Sequence, residues 1–154
     1  MINRFEDVII QTICRLLVPP IQLFALYVIA HGHYSPGGGF QGGCILAASF
    51  ILLVIAYDLK EAKKRMSEKS NIVYCCVGVL IYSGIGILCM VLGSNFLDYG
   101  ILQTILPVEK TAVARSLGIL GIEIGVGIAV MAVMVSIFMN IASGGEHEES
   151  EELE

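Results

Sequence analysis

Glu123 is the only acidic residue set well inside an apolar stretch, in Leu117-Gly118-Ile119-Leu120-Gly121-Ile122-Glu123-Ile124-Gly125. Placing a carboxylate near the middle of a bilayer costs about 2.5–3.5 kcal/mol, so such a group normally faces protein or water. It could relay a proton or cation, or pair with a lysine of a neighbouring subunit. The plainer readings are a hydrogen bond between helices, or a carboxyl held neutral by desolvation. The second chemically capable stretch is His31-Gly32-His33-Tyr34-Ser35-Pro36-Gly37-Gly38-Gly39-Phe40-Gln41-Gly42-Gly43. Pro36 with Gly37, Gly38, Gly39, Gly42 and Gly43 makes a backbone element, a tight turn between two apolar runs, with Phe40 inside it. Beside it, His31 and His33 titrate near neutral pH and could handle protons. Alternatively they are interface histidines bonded to loop backbone.

Other chemistries fail on context. Gly37-Gly38-Gly39-Phe40-Gln41-Gly42 matches the dinucleotide fingerprint, and Asp58 and Glu61 follow at about the right distance. No strand precedes it, however, and a helix from Gly42 would carry Asp58 about 24 Å away, to the far side of a membrane. Histidines at i and i+2 do not share a helical face, His147 lies in the tail, and no thiolate or carboxylate is near in sequence. No metal is therefore expected, and no haem. Cys14, Cys44, Cys75, Cys76 and Cys89 are scattered without metal spacing and read as small packing residues. No cofactor and no nucleic-acid partner is expected.

These groups must be positioned by membrane-crossing elements. The chain has 154 residues, 56% hydrophobic and only 15% charged, against about 25% charged in ordinary soluble domains. A body this small cannot hide so much apolar surface from water. Four stretches reach the roughly 20 residues a span needs, at about 9–30, 39–57, 72–93 and 117–142. The expected fold is an all-α membrane protein of four transmembrane helices, with the glycine-rich turn between the first and second. It comprises one domain, 1–145, and an acidic disordered tail, 146–154. Pro19-Pro20 predict a bend in the first span, because the carbonyls of Arg15 and Leu16 lose their helical donors. Residues 58–70 hold Lys60, Lys63, Lys64, Arg65 and Lys69, five of the nine basic residues. The positive-inside rule then puts both termini and this loop in the cytoplasm and the glycine turn outside. Glu6 and Asp7, where a signal peptide would be basic, argue against one.

Small residues predict where helices touch. Gly39, Gly43 and Ala47 share one helical face, as do Gly118, Gly121, Gly125 and Ala129, while Gly78, Gly84 and Gly86 mark the third span. Such spacing lets backbones approach closely in lipid. Residues 94–114 are unusually apolar for a connector and are expected in the membrane interface or against a neighbouring subunit. Glu109 and Lys110 could begin the last helix early. Gln22 and Gln103 read as structural glue.

The run Gly32-His33-Tyr34-Ser35-Pro36-Gly37-Gly38-Gly39-Phe40-Gln41-Gly42-Gly43 resembles the signature of the B component of the Mrp-type (multiple resistance and pH) multisubunit sodium/proton antiporters. That pattern is Gly-His, two variable residues, then Pro-Gly-Gly-Gly-Phe-x-Gly-Gly. The resemblance continues through Ala56-Tyr57-Asp58 and the acid two residues before a glycine, here Glu123 and Gly125. The family acid is often aspartate, so this chain departs by one methylene. The resemblance implies a small non-catalytic subunit of a hetero-oligomeric complex in a prokaryotic inner membrane, exchanging sodium for protons. The same module occurs in energy-converting membrane-bound hydrogenases and sulfur-reducing complexes. Partners would be other membrane subunits and the lipid bilayer, with sodium ions and protons as cargo. Glu123, His33 and His31 are the candidate pathway residues. The competing classes are a standalone homo-oligomeric transporter or channel, and a quinone or haem anchor. The last is disfavoured because no span has a histidine at its middle.

Overall fold

Each apolar segment is long enough to satisfy its own backbone hydrogen bonds within a helix, the condition for crossing lipid. In the computed structural model, which describes residues 8–33, 37–57 and 67–143, they form α1 (Val8–His31), α2 (Gly39–Tyr57), α3 (Glu68–Val91) and α4 (Thr111–Ala142). A short 3₁₀ helix, Tyr99–Thr104, lies between α3 and α4. All four α-helices are long and apolar enough to span a membrane, and no strand occurs among the described residues. The fold is all-α. Pro36, residues 58–66 with most of the basic loop, and the acidic tail with His147 lie outside the described residues.

Helix ends follow local chemistry. α1 continues as helix through Pro19 and Pro20. α3 starts ahead of residue 72 because the Ser67 hydroxyl accepts from the Ser70 amide at 3.2 Å, a common N-terminal cap. α4 starts well ahead of residue 117, at Thr111, with Lys110 in the cap position. Gln103 holds that start: its amide donates to the Glu109 carbonyl at 3.2 Å and its oxygen accepts from Thr111 Oγ1 at 2.6 Å.

The packing order is α1, α2, α4, α3, with α4 between α2 and α3. Small residues set each contact. Gly42 faces Ile29 and the Ala25 carbonyl of α1, while Gly43 faces α4, where an added methyl would stand 2.7 Å from the Gly127 carbonyl. On the other face of α4, Gly125 meets Gly78 of α3. The α2–α4 seam continues into a core of Ala47, Val54, Met131, Val135 and Met139. Asn71 locks the α3–α4 seam, its amide donating to the Ala132 carbonyl and to Ser136 Oγ, both at 2.7 Å.

The connector from α3 to α4 packs chiefly on its own chain. Leu102 is buried with Cys89 and Ala114, and Tyr99, Ile101, Leu106 and Val108 close over them. The Phe96 ring lies against Gly86, leaving Phe96 itself and Ile105 half exposed. The expected contact with the membrane interface or a neighbouring subunit concerns the side chains left outside, Phe96 and Ile105 among them. The connector packs inward because α4 begins early, so its first turns and the last turns of α3 stand beside the connector.

Candidate functional site at Glu123

The α1–α2 turn and the middle of α4 meet. Gly39, the first residue of α2, lies so close to α4 that a methyl group there would overlap the Glu123 carbonyl. A methyl on Gly32 would overlap Glu123 Oε1 and stand 2.5 Å from the Gly38 Cα. Gly38 itself has φ +139°, a conformation side chains resist. The Gly38 carbonyl accepts the first bond of α2, from the Gly42 amide at 2.9 Å. Gly32, Gly38 and Gly39 therefore share one job: they let the chain close directly over a carboxylate.

Glu123 is half-buried. Its Oε1 faces Gly32 and Gly38, and its Oε2 is enclosed without a hydrogen-bond partner among the described residues. An enclosed oxygen left unsatisfied costs about 1–3 kcal/mol, so this atom calls for a proton, a cation, a water or a neighbouring donor. His33 lies within electrostatic reach of the carboxylate. It also lines an open pocket of about 650 Å³ with Ala112, Arg115, Ser116 and Ile119 of α4. His33 thus stands between an open pocket and an enclosed acid.

His31 is not brought into this group. It is exposed at the end of α1, its ring stacked on Tyr27 at 4.1 Å, with Nδ1 3.1 Å from the Tyr27 carbonyl. Phe40 is also exposed, at 64%, while Gly37 rests near Val28 and Gly42 and Gly43 serve the helix seams. Among the described residues no three of His, Cys, Asp or Glu come together as a metal site would need. Two features are not legible from the sequence: Asn71, just ahead of the third apolar stretch, bonds across to α4, and Arg15, a charge within the first, meets the ring of Tyr57.

The model of a domain related to the MnhB subunit of Na+/H+ antiporter matches residues 9–136, which includes both the glycine turn and Glu123. The chain belongs to the MnhB family. Proteins named antiporter subunit mnhB2 from Staphylococcus aureus strains Newman, JH1 and COL are each 30% identical to it over 139 residues. The alignment covers 90% of this chain and 96% of theirs. An MnhB-family chain with four apolar helices is a multi-pass membrane protein, and the alignment with those relatives runs nearly end to end.

Proposed function

We propose that this chain is a non-catalytic subunit of a multisubunit Na+/H+ antiporter in a prokaryotic cell membrane, and that Glu123 and His33 form part of its ion route. Family membership and the subunit names of the relatives support the first part, and disfavour a standalone channel. The observation that carries the second is the enclosed, unsatisfied Oε2 of Glu123 beneath the glycine turn. Protons or sodium ions reach His33 from the open pocket beside it, and the carboxylate of Glu123 accepts them further in. The carbonyls of the turn, which must be satisfied by protein or water at membrane depth, supply additional oxygen ligands. His31, exposed on Tyr27, contributes at most at the rim. Other membrane subunits complete the route.

The test is the series Glu123→Gln, Glu123→Ala and Glu123→Asp in the assembled complex, read as sodium-driven proton movement in everted vesicles. The Gln and Ala variants lose about a hundredfold in exchange rate with assembly intact, the lower range for losing a proton-transferring side chain. Asp retains a substantial part. Full exchange in both Gln and Ala sinks the relay; loss of assembly in Gln as well as Ala makes Glu123 a packing residue instead.

A further inference from the structure

At the opposite end of α2 from the glycine turn, a slot of about 320 Å³ lies between α1, α2 and α4. Its walls are Val18 and Gln22 of α1, Phe50, Leu53 and Val54 of α2, and Val135 and Met139 of α4. Arg15 and Pro19 are exposed, while Val18, Val54, Val135 and Met139 are buried, so the slot has a charged mouth and an apolar back. Among the described residues the partner of the Arg15 guanidinium is the face of Tyr57, 5.9 Å from its centroid. The Tyr57 hydroxyl is fixed by donating to the Gln11 carbonyl at 3.2 Å, which holds the ring at the last turn of α2. Pro19 has no N–H, so the Arg15 carbonyl lacks its helical donor at the same mouth.

We propose that this slot binds one anionic phospholipid of the phosphatidylglycerol type, its phosphate on Arg15 and an acyl chain along Phe50, Leu53 and Val54. The charge decides the headgroup: a guanidinium pairs phosphate oxygens two at a time, and the spare carbonyl accepts from a headgroup hydroxyl. The shape decides the tail. From Tyr57 to Phe50 the wall runs about 10 Å, narrow and apolar, and the volume is too small for a helix with its side chains, about 10 Å across. Arg15 lies against Tyr57, the last residue of the second apolar helix, and basic and aromatic side chains near the ends of spans reach lipid headgroups. Nothing in this reading depends on the role of Glu123.

The intact complex in nanodiscs is irradiated with diazirine-acyl phosphatidylglycerol or, separately, the chain-matched phosphatidylcholine. Adducts on residues 50–54 of this chain are then quantified by mass spectrometry. The glycerol headgroup labels about fivefold more than choline, the attraction expected of one basic residue near the surface. The preference disappears in Arg15→Gln and survives in Arg15→Lys. Equal labelling by the two headgroups in the unaltered complex overturns the proposal, as does a preference indifferent to Arg15→Gln. Absence of adducts with either lipid, the result when a neighbouring subunit or another segment fills the slot, overturns it as well. The headgroup comparison needs no variant, so it decides even if a substitution blocks assembly.

Discussion

Glycine at 32, 38 and 39 sets how close a turn can come to Glu123, and each position fails differently when filled. Gly39→Ala puts a methyl into the α4 backbone, where neither partner is a flexible chain end. Overpacking of this kind costs about 1–3 kcal/mol, so the complex should melt earlier and lose exchange together with it. Gly84 is the matched control, since an added methyl there meets nothing within 4 Å. Gly84→Ala should leave the melting point unchanged or raise it by the helix propensity of alanine, about 1 kcal/mol. A melting point lowered by Gly84→Ala as much as by Gly39→Ala, in thermal scans of the complex, would show that another subunit covers α3 at that level.

The α3–α4 connector is held by a charged group as well as by its apolar cluster. Its chain reverses through Gly93 at φ +91° and Leu97 at φ +63°; a left-handed leucine costs about 1–2 kcal/mol and needs support from its neighbours. Asp98 supplies it, accepting from Ser94 Oγ at 2.5 Å and from the Gly100 amide at 3.2 Å. The Ser94 hydroxyl first, then the Gly100 amide and the Arg115 charge, hold the Asp98 carboxyl below the usual aspartate range. A depressed carboxylate pKa means stability that is present above the unfolded value and is lost as pH falls through the folded one. Acidification from neutral to about pH 5 stays above the ordinary aspartate value, and should leave hydrogen-exchange protection of residues 100–102 intact. Asp98→Ala should lower that protection already at neutral pH. Equal protection in the two proteins would assign the connector's order to its apolar cluster alone.

The described helix ends are staggered at the Glu123 end of the bundle. Gly39 begins α2 at the level of Glu123, yet α4 extends about 18 Å beyond that level to Thr111. α3 and the connector rise beside it, with Cys89 and Leu102 packed on Ala114. Gly38, Gly39 and the carboxylate therefore sit below the top of the α3–α4 hairpin, and His33 opens onto the pocket beside the first turns of α4. From Glu123 to Ala142, α4 spans about 30 Å, the thickness of a hydrocarbon core. Single cysteines at Ser116 and Ser143 in a cysteine-free background test the orientation proposed from the basic loop. A membrane-impermeant thiol reagent should label Ser116→Cys in intact cells and Ser143→Cys only after permeabilisation. The reverse pattern inverts the topology.

Four helices, their approximate limits and most of the small-residue faces were legible in the sequence, because hydropathy and spacing are local properties along a helix; Gly84 meets nothing within 4 Å, and Gly86 and Gly118 receive the connector rings of Phe96 and Tyr99 instead of a helix. So was the singular status of Glu123, since one carboxylate in an apolar run is conspicuous whatever surrounds it. Which partner each face meets was not written there. Gly39 and Gly43 serve α4 while Gly42 serves α1, a division that depends on helix rotation. Residues 32 and 123 lie far apart along the chain, and only packing α2 against α4 brings the turn onto the carboxylate, selects His33 and leaves His31 outside. The slot at Arg15 has the same origin: its charge was visible, but its walls come from three helices, and only their assembly gives that charge an apolar cavity beside it.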